Sequence, residues 1–192
     1  MKEMKKTTVY QMTAMALMAA LMCVVGPMSV PIGPIPISFT NFVIYLAVWL
    51  LEGQAAAVSY CVYLLIGIVG LPVFSGYSGG LGKLVGPTGG YLIGFIFMAM
   101  ICSLVTRRIN YQAAWSMAGM AAATAVAYGF GTAWFMIQAK TTLGYALATC
   151  VIPFIPGDLV KIVVAGALGT TVRRGLLRSG MLLEKKHASG RE

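Results

Sequence analysis

"SGYSGGLGKLVGPTGGY", residues 75–91, is the stretch on which the fold turns. It holds seven glycines and one lysine in seventeen residues and lies between two strongly apolar runs. One reading makes it a phosphate-cradling loop of a soluble nucleotide-binding domain. The other makes it a glycine-rich lid joining two membrane helices. A P-loop needs G-x-x-x-x-G-K-[ST]. Counting back from Gly82–Lys83 puts Tyr77 where the first glycine belongs, and Leu84 stands where Ser or Thr is required. The dinucleotide pattern started at Gly80 fails at Val85, and no soluble strand precedes it. Glycine allows unusual backbone angles and close approach. Phe74, Tyr77, Leu81, Val85 and Tyr91 are interleaved with these glycines as anchors that a slack linker does not need. The stretch therefore reads as a lid dipping into the mouth of a helix bundle.

Composition supports the membrane reading. Of 192 residues, 59% are hydrophobic and only 10% charged, with a mean hydropathy of +0.85. A soluble domain averages about 45–50% apolar and about 25% charged. The net charge of +9 would suit nucleic acid, but its placement does not. Lys2, Lys5 and Lys6 precede the first apolar run, Arg107 and Arg108 fill a short gap, and six more cations from Arg173 to Arg191 follow the last run. That is the positive-inside bias of a membrane protein. Cys23, Cys61, Cys102 and Cys150 all sit in apolar stretches without metal spacing, and the lone His187 lies in a polar tail, so no metal site is legible. The basic start and the run Val9–Val25 mimic a signal peptide, but no A-x-A-like cleavage site follows, and the segment reads as a retained first helix.

Apolar runs predict an all-α polytopic membrane protein, a single domain over 1–192 with basic tails at about 1–8 and 175–192. Six transmembrane helices are expected near 9–28, 38–51, 55–71, 89–106, 113–138 and 157–172. A short interfacial helix over 143–151, capped by Thr141 or Thr142, precedes the last, which Pro156 opens. Two long outer loops act as lids: the proline-rich 26–37 and the glycine-rich 72–88. An even span count puts both termini on the cytoplasmic side together with eleven of the fourteen Lys and Arg, while Lys83 and Lys140 fall outside and Lys161 within the bilayer.

Asp158 and Lys161 are the only charges expected inside a span, and their i, i+3 spacing puts them on one helical face. Each costs about 2.5–3.5 kcal/mol near the bilayer centre on insertion scales, so the pair marks either a polar ligand site or a structural ion pair. Thr40, Asn41, Tyr45, Tyr128 and Trp134 are expected near the outer ends of other spans. Ala16 and Ala20 at i, i+4, with Ala19 beside them, form a small-residue face that suits internal packing or a second membrane protein. No activated nucleophile or carboxylate pair is present, so nothing suggests an enzyme.

Three segments, "GLPVFSGYSGGLGKLVGPTGGYLIGF" (70–95), "YGFGTAWF" (128–135) and "PFIPGD" with a lysine three residues on (153–161), closely resemble the BioY family of biotin-binding S components of energy-coupling factor (ECF) transporters. The resemblance implies no cofactor, biotin as the transported ligand, and a site near the outer face closed by the two loops. It also implies docking of the Ala16–Ala19–Ala20 face on a transmembrane coupling subunit (EcfT) driven by two cytoplasmic ATPases, in a bacterial cytoplasmic membrane. A solitary oligomeric transporter working without ATPases is the alternative. Asp158, Lys161 and the loop residues Ser75, Ser78, Gly79, Gly80, Leu81, Gly89 and Gly90 carry over from the family, and Asn41 does so more loosely. Biotin's ureido ring offers two N–H donors and a carbonyl, beside an apolar thioether ring and a carboxylate tail. Asp158 and Asn41 suit the donors, Lys161 a carbonyl or carboxylate, and Tyr45, Phe74, Leu81 and Trp134 the apolar walls, with Tyr128 beside them. The resemblance leaves the role of Lys83 open.

Overall fold

The computed structural model describes residues 2–31 and 34–180, with side chains from residue 9 onward. The basic tail beyond residue 180, with Lys185, Lys186, His187 and Arg191, lies outside the described residues, as do the side chains of Lys2, Lys5 and Lys6. Among the described residues eight helices follow in order: α1 (Lys2–Val25), α2 (Thr40–Leu50), α3 (Ala55–Ile68), α4 (Leu81–Val85), α5 (Gly89–Arg108), α6 (Ala113–Ala139), α7 (Leu143–Cys150) and α8 (Phe154–Arg178). Three of them, α5, α6 and α8, are long and apolar enough to cross a membrane, and the apolar part of α1 (Val9–Val25), α2 and α3 are shorter.

The helices sit where the apolar runs are, and their ends have local causes. α1 stops at Val25, short of the expected Met28, because Gly26–Pro27 breaks the ladder and a Cβ at Gly26 would fall 2.7 Å from both the Tyr63 hydroxyl and the Val73 carbonyl. α7 starts after Thr142, which takes the extended N-cap conformation although its hydroxyl caps nothing. α8 begins earlier than expected, at Phe154, so Pro156 occupies the third helical position rather than the first. The helix tolerates it because its first four N–H groups have no intrahelical partner.

α2 is the central element. Eight of its residues are buried, among them Asn41, Tyr45 and Trp49, and it packs on α1, α3, α5 and α8. At eleven residues it is only about 16 Å long. Its polar ends therefore depend on protein partners: Ser38 and Thr40 share a hydrogen bond at the outer end, and the Trp49 carbonyl accepts from Arg173 at the other. α5 and α6 form the most extensive helix pair, with Gly94 against Ala127 and Gly131 beneath the Tyr91 ring.

Both long loops carry structure the sequence reading leaves out. In the proline-rich loop, β1 (Ser29–Val30) pairs antiparallel with β2 (Ile37–Ser38). In the glycine-rich loop, residues 81–85 coil into α4. The loops also meet, since the Gly76 amide donates to the Pro27 carbonyl at 3.0 Å.

Candidate functional site

Beneath the two joined loops, α2, α6 and α8 bring four polar side chains together. The Asp158 carboxylate accepts three hydrogen bonds: Oδ1 from Asn41 Nδ2 at 2.8 Å and Lys161 Nζ at 2.9 Å, and Oδ2 from the Tyr128 hydroxyl at 2.6 Å. Lys161 places its ammonium on Asp158 Oδ1, on Asn41 Oδ1 at 3.1 Å and on the Ser38 carbonyl at 2.7 Å. An ammonium has three donors, so Lys161 is saturated, and its Nζ also stands 5.4 Å from the Phe39 ring centroid. Asp158 and Lys161 are 4% and 8% exposed, so the expected ion pair exists and is buried. The buried charges of Asp158 and Lys161 are tolerated because each meets an opposite charge or an aligned dipole.

The cavity bounded by this network holds only about 50 Å3. Ligand pockets for small molecules run to about 300–1,000 Å3. The cavity is thus smaller than a bound small molecule needs in this conformation. Of the residues expected at the site, Asn41, Ser75, Tyr128, Asp158 and Lys161 line this cavity.

The others surround it without lining it. Tyr45 is fully buried behind the network, with its hydroxyl 2.5 Å from that of Thr124. Phe74 is also fully buried, its ring edge-on to Tyr63 and so close to Gly67 that a Cβ there would clash at 2.1 Å. It anchors the loop to α3 and does not line the cavity in this conformation. Ser78 pairs with Phe74 in a tight turn and donates to the Ser75 carbonyl at 2.9 Å. Gly80 adopts φ 85°, a left-handed value that suits glycine, and its amide donates to the Gly67 carbonyl at 2.7 Å. Gly79 and Gly89 lie against the backbone carbonyls of Leu71 and Leu84. Gly90 is where α5 meets α6: a Cβ would stand 2.3 Å from Trp134 Cβ. Trp134 itself donates from Nε1 to the Gly86 carbonyl at 2.9 Å, so it pins the loop. Leu81 is 61% exposed and turned away from the cavity.

The cavity instead takes walls from Tyr63, Tyr91, Phe95 and Phe154, with Ile35 and Pro36 from the other loop. Tyr91 stacks on Phe154 at 6.1 Å and donates to the Cys150 carbonyl. Lys83, on α4, also lines it. No hydrogen bond or ion pair engages the Lys83 ammonium among the described residues, and burial pushes its pKa below the usual lysine value. Tyr91 was read in the sequence only as a loop anchor, and Phe154 carried no signal apart from the "PFIPGD" motif. On the proposed docking face, Ala16 and Ala20 are exposed while Ala19 is 2% exposed and packs inside the bundle. Ala19 therefore belongs to the fold and not to the outward face, because α1 turns it toward its neighbours.

A family model described as the BioY family matches residues 1–178. A relative named Biotin transporter BioY, from Thermotoga maritima, is 32% identical over 165 residues, covering 85% of this chain and 96% of its own. Biotin transporter BioY2 from Lactococcus lactis subsp. cremoris is 28% identical over 173 residues, covering 90% and 95%. A crystal structure titled as the S-component for biotin from an ECF-type ABC transporter superposes with a TM-score of 0.81 at 26% identity, over 87% of this chain and 92% of that one. The fold is therefore that of a transporter S component, a membrane-embedded protein built around a closed polar site. The chain belongs to the BioY family, whose named members are transporters and not enzymes.

Proposed function

We propose that this chain binds biotin and carries it across the cytoplasmic membrane as the substrate-specific component of an ECF transporter. The observation that supports this best is the closed network at Asp158. Its carboxylate accepts from two neutral donors, Asn41 Nδ2 and the Tyr128 hydroxyl, either of which a ureido N–H can replace, and Lys161 holds a carbonyl that the ureido oxygen can replace. Binding is then an exchange of partners in which the Asp158–Lys161 pair stays together, which limits the desolvation cost. Tyr91, Phe154 and Phe95 supply apolar faces for the thioether ring, and Lys83 on α4 is placed to meet the carboxylate tail. The joined loops form the lid.

The three shorter apolar helices complete six spans with the three long ones, and the positive-inside rule puts both termini in the cytoplasm. Ala16 and Ala20 offer a close-packing surface for the coupling subunit, with two ATPases behind it. Titration of the purified chain with biotin, followed by mass spectrometry of the bound small molecule, tests the ligand. Co-expression with a coupling subunit and ATPases tests the assembly: co-purification is expected, and uptake by the chain alone at an undiminished rate would replace this reading by a solitary transporter.

A further inference from the structure

A second cavity, of about 650 Å3, opens at the end of the bundle away from the loops, between α1, the α2–α3 turn, the α5–α6 turn and α8. Arg107, Arg173 and Arg174 line it against a single carboxylate, Glu52, which accepts from Gln11 Nε2 at 3.2 Å. Arg173 is held rigidly. Its Nη1 donates to the Trp49 carbonyl at 3.0 Å, and its guanidinium carbon lies 3.4 Å from the centroid of the Tyr111 ring. The turn that brings Tyr111 there runs through two consecutive left-handed residues, Asn110 at φ 53° and Tyr111 at φ 57°, a backbone region that non-glycine residues seldom adopt. Neither Arg107 nor Arg174 forms an ion pair among the described residues.

An acceptor in the cavity would meet the free N–H groups of the guanidinium forks. Guanidinium groups match phosphate oxygens in pairs, and among the described residues only Glu52 competes. Basic pockets between membrane helices at the cytoplasmic face hold anionic headgroups.

We propose that this cavity is a phosphate-ester site that seats the headgroup of an anionic phospholipid. It is independent of the Asp158 network and regulates or steadies the bundle from the opposite end.

Native mass spectrometry of the delipidated chain, titrated with phosphatidylglycerol or phosphatidylcholine, tests it. The wild type should retain one phosphatidylglycerol with a preference of at least ~10-fold over phosphatidylcholine. Arg107→Gln with Arg174→Gln should bring that preference close to unity while biotin titration stays unchanged, which also shows that the variant folds. Should the glutamine pair fail to fold, Arg107→Lys with Arg174→Lys keeps the charge and loses the paired geometry, and a clear fall in preference is again expected. Glycerol 1-phosphate separates the sources. If it protects the chain from unfolding while phosphatidylglycerol shows no preference, the site takes a soluble phosphate ester and the lipid assignment fails. Equal retention of both lipids with no effect of glycerol 1-phosphate overturns the proposal. So does unchanged lipid preference in a variant that has lost co-purification with a coupling subunit, because the arginines then serve a protein contact.

Discussion

At the loop end, Asp158, Lys161, Asn41 and Tyr128 satisfy one another around about 50 Å3 of space, and at the opposite end Arg107, Arg173 and Arg174 stand around about 650 Å3 facing one carboxylate. Both ends concentrate polar groups, but only the first closes on itself. The difference follows from depth. A charge inside a span has no water to fall back on, so each donor and acceptor must be matched within the protein. A charge at the membrane surface is solvated and can be left with spare valence. The larger cavity is therefore the less informative guide to a transported substrate. On the proposed function, the sealed site opens and exchanges partners in order to bind, which would give the chain two distinguishable states.

The largest expected effect comes from breaking the seal. Asp158→Asn leaves the Lys161 ammonium buried without its anion, and removing one partner of a buried pair costs about 3–5 kcal/mol. Stability and biotin affinity should both fall, affinity by at least ~10-fold, given about 1.5–3 kcal/mol for hydrogen bonds to a charged group. The double variant Asp158→Asn with Lys161→Met removes the stranded charge, so thermal stability should recover while affinity does not. If affinity recovers as well, the pair is structural and the comparison between the two ends loses its functional half.

A second test leaves both ends intact. Ala16→Leu with Ala20→Leu changes only the exposed face of α1, where packing in lipid depends on close contact. Biotin affinity should stay within about twofold, whereas uptake and co-purification of the coupling subunit should be lost. Loss of biotin binding in this variant would mean that the alanines support the bundle, as buried Ala19 already does.

Third, the loops should protect the site in a ligand-dependent way. Limited proteolysis near Tyr77, 71% exposed at φ 54°, should slow several-fold with biotin. Phe74, Gly80 and Trp134 already tether the loop, so the motion is expected to be a hinged displacement rather than melting. Equal cleavage rates with and without biotin would make the loop a fixed cap.

The apolar helices were legible because apolar length is a local property, and Asp158 with Lys161 was legible because two charges in an apolar run are conspicuous. Asn41 and Tyr128 were legible as polar groups near helix ends, but their convergence on one carboxylate is not a local property, since Asn41 lies 117 positions from Asp158. Tyr45, Phe74, Leu81 and Trp134 have the chemistry of pocket walls, but which way each side chain turns depends on neighbours that the chain order does not reveal. In this conformation Tyr45 turns to Thr124, Phe74 to Gly67 and Trp134 to the Gly86 carbonyl, while Tyr91 and Phe154 line the cavity. Short helices and two-residue strands in the loops are likewise set by contact between loops, as at Gly76 and Pro27.

The smallest expected effect concerns Lys83, the residue with spare valence at the sealed end. Its ammonium lines the site without an ion pair among the described residues, and burial lowers its pKa. Binding an anionic tail returns an opposite charge to it. Affinity for biotin should therefore fall as pH rises through the lowered lysine pKa, because the neutral amine no longer attracts the carboxylate. Stability of the ligand-free chain moves in the opposite direction over the same window. The unfolded lysine stays protonated there while the folded one does not, so the unfolded state binds more protons and unfolding becomes harder as pH rises. Lys83→Gln should lower affinity by about fivefold, near 1 kcal/mol, the scale of a partly exposed ion pair. It should also abolish both alkaline trends and leave the affinity for a biotin ester, which has no anionic tail, unchanged. A variant that loses ester and acid binding equally would show that Lys83 acts on the lid helix α4 and not on the carboxylate.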